Sequence, residues 1–213
     1  MSEAITPTLM PLGDRALLVR FAEGVSDAAN RAAIGLARRL AADRLEGVEE
    51  IAPGLVSVLI RTSLGVDTRR LQGEIMLRVG LEDAPGAASE HSIAVTLDGE
   101  DLGEVSGRLG LSTDEFAHQH GALPLRVLAT GFAPGFVYCG FHGTDLVVPR
   151  REHVRPVVPA GTVLFAAGQT AIAATPVRTG WHIIGRTGFQ NFDPAMTPPT
   201  RLAAGDSLRF VPA

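Results

Sequence analysis

After residue 124 the chain is cut into short apolar segments by glycine and proline, and this spacing restricts the possible fold more than any other feature. Leu125 to Thr130, Thr162 to Ala166, Thr170 to Ala174, Trp181 to Gly185 and Ser207 to Val211 each read as a strand, with Gly- and Pro-bearing turns between them. Many short strands so spaced must find partners in each other. A sandwich or a closed barrel satisfies them while leaving few exposed edges.

The earlier part of the chain has a different rhythm. Arg15 to Phe21 reads as a strand rich in apolar residues. Ser26 is placed to cap a helix with Asp27 in its first turn, and Ile34, Leu36, Ala37, Leu40 and Ala41 recur at helical spacing before Gly47. Val48 to Ile51 and Leu55 to Arg61, joined by Pro53-Gly54, read as two short strands. Asp67 caps a second helix whose apolar stripe is Leu71, Ile75, Met76 and Val79. Glu82 to Glu90, rich in Ala, Gly and acidic residues and holding Pro85, reads as a linker. An α+β domain over residues 1–85 is therefore expected, followed by a strand-rich domain over 91–213. Within the latter, Ser92 to Leu97 alternates like a strand. Leu102, Val105 and Leu109 mark a short helix ended by Gly110, and Ser112-Thr-Asp-Glu115 forms a capping box for a helix through about His118.

Composition then removes several function classes. With 46% hydrophobic and 20% charged residues and no apolar run near the roughly 20 residues a membrane helix requires, the chain reads as a soluble globular protein without a membrane segment. The opening MSEAITPTLM does not read as a secretory signal, so a cytoplasmic location is expected. A net charge of -4 with scattered arginines makes nucleic acid an unexpected partner. All 19 basic residues are arginine. Without lysine the chain can form neither a P-loop nor a Schiff base, and it cannot carry covalently attached biotin or pyridoxal phosphate. Anions must be met by arginine, backbone N–H groups or a metal ion. The single cysteine, Cys139, cannot make an internal disulfide and reads as a small buried hydrophobe.

Chemistry is most concentrated between Gly131 and Thr187. Gly131-Phe-Ala-Pro-Gly-Phe-Val-Tyr138 sets glycines and a proline among aromatic rings, which lets backbone approach a ligand. Arg150, Arg151 and Arg155 are interleaved with Pro149 and Pro156, while Gly168-Gln-Thr170 and Gly185-Arg-Thr187 put hydrogen-bonding side chains beside a glycine. His118 and His120 would diverge on a helix, and the other histidines show no metal-ligand spacing, so no metal site is expected. Asp98, Glu100, Asp101, Asp145 and Asp193 are candidate general bases, but sequence spacing brings no two of them together and most read as surface or capping groups.

Over nearly its whole length the sequence resembles the family that includes the 5-oxoprolinase subunit PxpB, the sporulation kinase inhibitor KipI and the first subunit of allophanate hydrolase. The N-terminal match is Pro11 to Phe21 with Gly47 to Pro53. The more specific match comprises His120, Gly131 to Phe136, Tyr138, Pro149-Arg-Arg151, Arg155, Pro159-Ala-Gly161, Gly168-Gln-Thr170, Gly180-Trp181, Gly185-Arg-Thr187, Phe192-Asp193 and Gly205-Asp206. The resemblance implies an α+β N-terminal domain followed by a cyclophilin-like β-barrel domain. It also implies a partner, a larger homologous barrel subunit of the PxpC or second-allophanate-hydrolase-subunit type. With a third, PxpA-type subunit such a pair opens 5-oxoproline at the expense of ATP, bound with Mg2+ and shared with the partner. Two alternatives stay open: a carboxyltransferase or amidohydrolase subunit acting on urea derivatives, and a non-enzymatic inhibitor of a histidine kinase. The implied catalytic residues are His120 for proton transfer and Arg150 and Arg186 for holding anions. Arg155, Gln169, Thr170 and Thr187 are implied substrate-binding residues, with Phe136, Tyr138 and Trp181 as pocket walls. The chain departs from the family pattern at Ala171-Ile-Ala-Ala174, usually Gly-Ile-Tyr-Pro, and at Arg178-Thr-Gly-Trp181, usually Pro-Gly-Gly-Trp. It also departs at Cys139-Gly-Phe-His142, usually Leu-Gly-Gly-Leu, and in a shortened Asp98-Gly-Glu100 loop. These departures suit a pocket reshaped for another amide, or a member that keeps the fold without the activity.

Overall fold

The computed structural model describes residues 5–80 and 88–213. The chain divides into two compact units, Met1–Ala87 and Ala88–Ala213. Most of the expected linker over 82–90 lies outside the described residues.

In the first unit, strands β1 (Thr8–Pro11), β2 (Ala16–Arg20), β3 (Val48–Pro53) and β4 (Ser57–Thr62) form an antiparallel sheet in the order β1-β2-β4-β3. Helices α1 (Asp27–Asp43) and α2 (Thr68–Met76) begin where the sequence places them. The Ser26 hydroxyl accepts from the Ala29 amide at 3.3 Å, and the Asp67 carboxylate accepts from the Arg69 and Arg70 amides at 3.0 and 3.1 Å. Each cap contributes about 1 kcal/mol, enough to fix a helix start. Burial holds the helices in place: Ala29, Ala33, Leu36, Ala37 and Leu40 of α1 join Leu17, Val19, Val58 and Ile60 of the sheet in one core. Strand β1 was not expected from the sequence. Its four residues, Thr-Leu-Met-Pro, are exposed or half-buried and show no alternation that would mark them as a strand.

The second unit is built on a seven-stranded sheet. Its strands are β5 (Glu90–Val95), β6 (Leu125–Thr130), β7 (Val137–Gly140), β9 (Thr162–Ala166), β10 (Gln169–Ile172), β12 (His182–Arg186) and β13 (Ser207–Pro212), ordered β12-β9-β10-β7-β6-β13-β5. All pairs are antiparallel except β13 with β5. A separate two-stranded ribbon joins β8 (Arg155–Val158) to β11 (Val177–Thr179). Helices α3 (Leu102–Arg108) and α4 (Thr113–Gly121) lie between β5 and β6 in the chain. The sequence foresees β5, β6, β9, β10, β12 and β13, both helices and the capping box. It misses β7, β8 and β11, of three or four residues each, because a run that short carries no readable period.

Register shifts between Val127 and Ala129 and between Ile183 and Gly185 mark bulges that increase the twist, and the sheet curls into a half-barrel. The curl brings its outermost strands together. Just beyond β5, Thr96 and Arg186 exchange two backbone hydrogen bonds of 2.9 Å, and the Gly99 and Asp101 amides donate to the Ile184 and Ile183 carbonyls. This seam is tight enough to exclude side chains. A Cβ on Gly185 would collide with the Thr96 carbonyl oxygen, and one on Gly99 with the Ile183 carbonyl oxygen. The concave face and the two helices bury a core that includes Val105, Phe116, Val127, Cys139, Val163, Phe165, Ile172 and Ile184. The opposite face carries a smaller cluster of Phe136, Val158, Leu164, Ala171, Ala173 and Trp181.

Gly185→Ala is therefore expected to lower stability by roughly 1–3 kcal/mol, the range for overpacking a tight site. Gly143→Ala serves as a control, since open space surrounds that glycine. Equal urea midpoints for the two variants would show that the seam is loose.

Candidate functional site

Strand β10 separates its neighbouring residues onto two faces. Thr170 and Ile172 lie on the concave side, and Ala171 lies on the other, opposite Tyr138 of β7 and Leu164 of β9. On the concave side the Thr170 hydroxyl meets two imidazoles, with His120 Nε2 and His142 Nε2 each 2.8 Å from Oγ1. Local structure explains how both arrive there. The capping box of Ser112 and Glu115 starts α4, and Phe116 and His120, one turn apart, form its buried stripe while His118 stays exposed. His142 is held by its amide, which donates to the Gly168 carbonyl at 2.9 Å beside the β9–β10 turn.

The surroundings of these rings are apolar. His120 packs against Phe116, Phe165 and Phe210 with centroids 5.6, 6.2 and 5.3 Å away, and the two imidazoles lie 4.9 Å apart. Burial, and secondarily the His142 ring, pulls the His120 pKa down to about 3; burial alone brings His142 to about 4. Both rings are thus neutral near pH 7. His120 also lines a cavity of about 300 Å³, with Val95, Leu97, Ala117 and Phe210 among its other walls. Cys139, fully buried nearby in β7, has its thiol pKa raised by desolvation and offers no thiolate.

The opposite face carries a row of rings. Phe132 meets Phe136 at 5.4 Å, Phe136 meets Tyr138 at 4.9 Å and Tyr138 meets Trp181 at 5.8 Å. Arg150 closes the row with its guanidinium 5.7 Å from the Trp181 ring centroid and, among the described residues, no carboxylate partner. Tyr138 has its pKa raised by burial, an effect that Arg150 opposes. The small side chains of Ala171 and Ala173 lie in this cluster.

Arg155 is committed elsewhere. With Arg151 it grips Asp101, the two Arg nitrogens lying 2.6 and 2.7 Å from Oδ1, while Oδ2 accepts from the Ile183 amide at 2.7 Å. Arg155 also pairs with Glu100 at 2.9 Å. Desolvation works against the Asp101 carboxylate, but the Ile183 amide, Arg155 and Arg151 together hold its pKa below the usual range. Asp101 sits at the N-cap position of α3 yet makes no capping bond; it ties α3 to β12 instead. Asp101, Glu104 and His182 also have cation-like spacing. The two guanidiniums already neutralise Asp101, so the group lacks the negative charge a cation needs.

Arg186 pairs with Asp98 at 2.9 Å on the surface, where such a bond contributes about 0–1 kcal/mol and leaves the side chain free to exchange partners. The Thr187 hydroxyl donates to the Ala94 carbonyl at 2.7 Å. Both residues line a second cavity of about 420 Å³ with Pro159, Ala160 and Gly161. Alternation along and just beyond β5 divides the two cavities: Val95 and Leu97 face the first, Ala94 and Thr96 the second.

The ten residues singled out from the sequence therefore do not converge on one point. His120 and Thr170 meet directly; Phe136, Tyr138, Trp181 and Arg150 form the aromatic face; Arg186 and Thr187 share the second cavity; and Arg155 belongs to the Asp101 cluster. Gln169 is buried next to Thr170 in β10, and its Cγ approaches Gly140. Sequence reading missed His142 as the second partner of Thr170 and Asp101 as a buried hub. His142 was visible only as one of the downstream histidines and as a departure from the family pattern, and Asp101 only as one of several candidate general bases or capping groups.

Fold and motifs together define a carboxyltransferase-type domain, since residues 7–202 match the family described as carboxyltransferase domain, subdomain C and D. The B-type 5-oxoprolinase subunit of Escherichia coli O157:H7 is 33% identical over 206 residues, 94% of either chain. The chain belongs to this family, alongside its B-type 5-oxoprolinase members. Among solved structures, TTHA0988 superposes with a TM-score of 0.82 at 36% identity over 93% of this chain. The present chain spans only 40% of that longer protein. The urea carboxylase of Kluyveromyces lactis shares the fold, with a TM-score of 0.72 at 15% identity over 97% of this chain and 22% of the carboxylase.

Replacing Asp101 with Asn removes the buried carboxylate that Arg151 and Arg155 share, while Arg155 keeps Glu100 and Arg151 keeps Glu104 nearby, and is expected to cost about 1–3 kcal/mol at pH 7. Because the folded-state pKa of Asp101 is depressed, its contribution is present above the unfolded value near 4 and is lost as pH falls through the folded value. Denaturant titrations should show the gap between wild type and variant closing toward pH 2. A gap that stays constant from pH 7 to pH 2 contradicts this assignment.

Proposed function

We propose that this chain is the B-type subunit of an ATP-dependent 5-oxoprolinase. It acts in an assembly with a larger barrel subunit of the PxpC type and a PxpA-type third subunit, in the cytoplasm. The observation that carries this reading is the end-to-end correspondence with a 5-oxoprolinase subunit of that type, 94% of each chain aligned at 33% identity. A partner is supported by TTHA0988, in which the same fold occupies 40% of a longer chain. The curled sheet is, in this reading, the cyclophilin-like barrel of the family.

Opening a lactam requires a proton to leave the attacking group and another to reach the departing amide nitrogen, away from competing water. His120 suits that task. It is neutral at working pH, fixed by Thr170 and placed at an apolar cavity. Arg150, without a carboxylate partner among the described residues, and Arg186, in a weak surface pair, are free to meet substrate or nucleotide anions. ATP and Mg2+ would be shared with the partner subunit, because this chain lacks the lysine and glycine loop of a P-loop. No helix among the described residues is long and apolar enough to cross a membrane. A carboxyltransferase acting on a urea derivative is the second reading, supported by the family description and by the shared fold with urea carboxylase.

Mixing the chain with both partner subunits, ATP and 5-oxoproline should yield glutamate and ADP, and omitting this chain should abolish turnover. His120→Asn is expected to lower kcat by about 10²-fold or more, the lower end of what general acid–base groups supply. Turnover of a urea derivative but not of 5-oxoproline would favour the second reading.

A further inference from the structure

The Thr170 hydroxyl has one proton and two imidazole neighbours at equal distance. Both contacts run to Nε2 atoms, 2.8 Å away in each case. A hydroxyl donates one hydrogen bond and accepts two, and among the described residues the Thr170 proton has no acceptor besides these two rings, so one ring accepts from Thr170 through a bare Nε2 while the other donates to it through Nε2–H. The two histidines therefore hold opposite tautomers. Reversing the hydroxyl reverses both.

We propose that His120, Thr170 and His142 form a proton relay joining the cavity beside His120 to the partly exposed side of His142. This inference rests on the reading of His120 as the proton-transfer group and adds the path by which its proton is exchanged. Four observations support it. His120 is 2% exposed but lines the cavity, and among the described residues its Nδ1 has no hydrogen-bond partner. His142 is only partly buried, and its Nδ1 likewise has no partner among the described residues. The groups facing the pair, Phe116 from α4, Phe165 from β9 and Phe210 from β13, offer no competing donor or acceptor. No carboxylate or guanidinium among the described residues bonds either ring, so nothing fixes one tautomer permanently.

The step balances without charge build-up. With His120 carrying its proton on Nε2, its bare Nδ1 accepts a proton from a group in the cavity. The Nε2 proton passes to Thr170 Oγ1, the original hydroxyl proton passes to His142 Nε2, and His142 releases its Nδ1 proton to solvent. Both rings are neutral before and after. A lone imidazole here would have to hold an extra charge, which the depressed pKa values of about 3 and 4 show to be unfavourable. A relay avoids that cost. The reverse sequence delivers a proton from solvent to the cavity, as a leaving amide nitrogen needs.

The full-length chain labelled with 15N-histidine tests this directly, because two-bond 15N–1H correlations distinguish Nδ1–H, Nε2–H and doubly protonated rings. At pH 7 the tautomer populations of His120 and His142 should be complementary, one ring carrying Nδ1–H to the extent that the other carries Nε2–H. Thr170→Ser should keep that pattern, whereas Thr170→Val, which keeps the side-chain shape without the hydroxyl, should lose the anticorrelation. Both rings held in the same single tautomer in the wild type, or a charged ring at pH 7, would overturn the relay. In the assembled enzyme, His142→Leu should lower kcat for 5-oxoproline at least about tenfold with KM unchanged, and an unaltered kcat would also overturn it. Failure of the wild-type assembly to turn over 5-oxoproline would instead count against the proposed function, and the tautomer measurement would still decide the relay.

Discussion

Strands β5 and β12 lie at opposite ends of the seven-stranded sheet, and they come together only because Gly99 and Gly185 present bare backbone where any side chain would strike a carbonyl oxygen. Everything of chemical interest in the second unit depends on that seam. The bulges in β6 and β12 supply the twist, the Thr96–Arg186 bonds hold the ends, and Asp101 ties α3 to β12 beside them. Once the sheet is curled, the period of two along each strand sorts side chains onto a concave face and a convex one. Thr170 and Tyr138, close in the sheet, thereby enter different environments.

Electrostatics then divides the arginines by task. Arg151 and Arg155 are held by the buried Asp101, with Glu104 and Glu100 as outer partners. Arg150 and Arg186 stay exposed and weakly engaged, the state expected of groups that must bind and release an anion. The concave site has no charged residue bonded to its imidazoles among the described residues. Its polarity comes from two neutral rings and one hydroxyl, which suits proton movement better than anion binding. A substrate anion and a proton-transfer step would therefore be handled on different surfaces of this unit.

Local features were legible in the sequence. Ser26, Asp67 and the Ser112/Glu115 box announced three helix starts because capping depends on residues within one turn, and strands β6, β9, β10, β12 and β13 were marked by flanking Gly and Pro. Strands β7, β8 and β11 were not readable, since three or four residues define no period; β10, equally short, was readable only as part of the longer apolar run Thr170 to Ala174. The site was half legible. His120 and Thr170 could be named individually, but their contact spans 50 positions and the contact of Thr170 with His142 spans 28, distances over which a single sequence carries no spacing rule. Arg155 shows the opposite limit. Its proline-flanked setting suggested an anion holder, and the anion it holds is the chain's own Asp101.

The curled sheet keeps a pair of imidazoles uncharged around one hydroxyl, and histidine titration by 15N NMR on the full-length chain tests this most directly. His120 and His142 are expected to remain neutral through the physiological range and to protonate only at midpoints of about 3 and about 4. A midpoint near the ordinary histidine value of about 6.5 for either ring would show that water or charge reaches the site, and would contradict this picture of it.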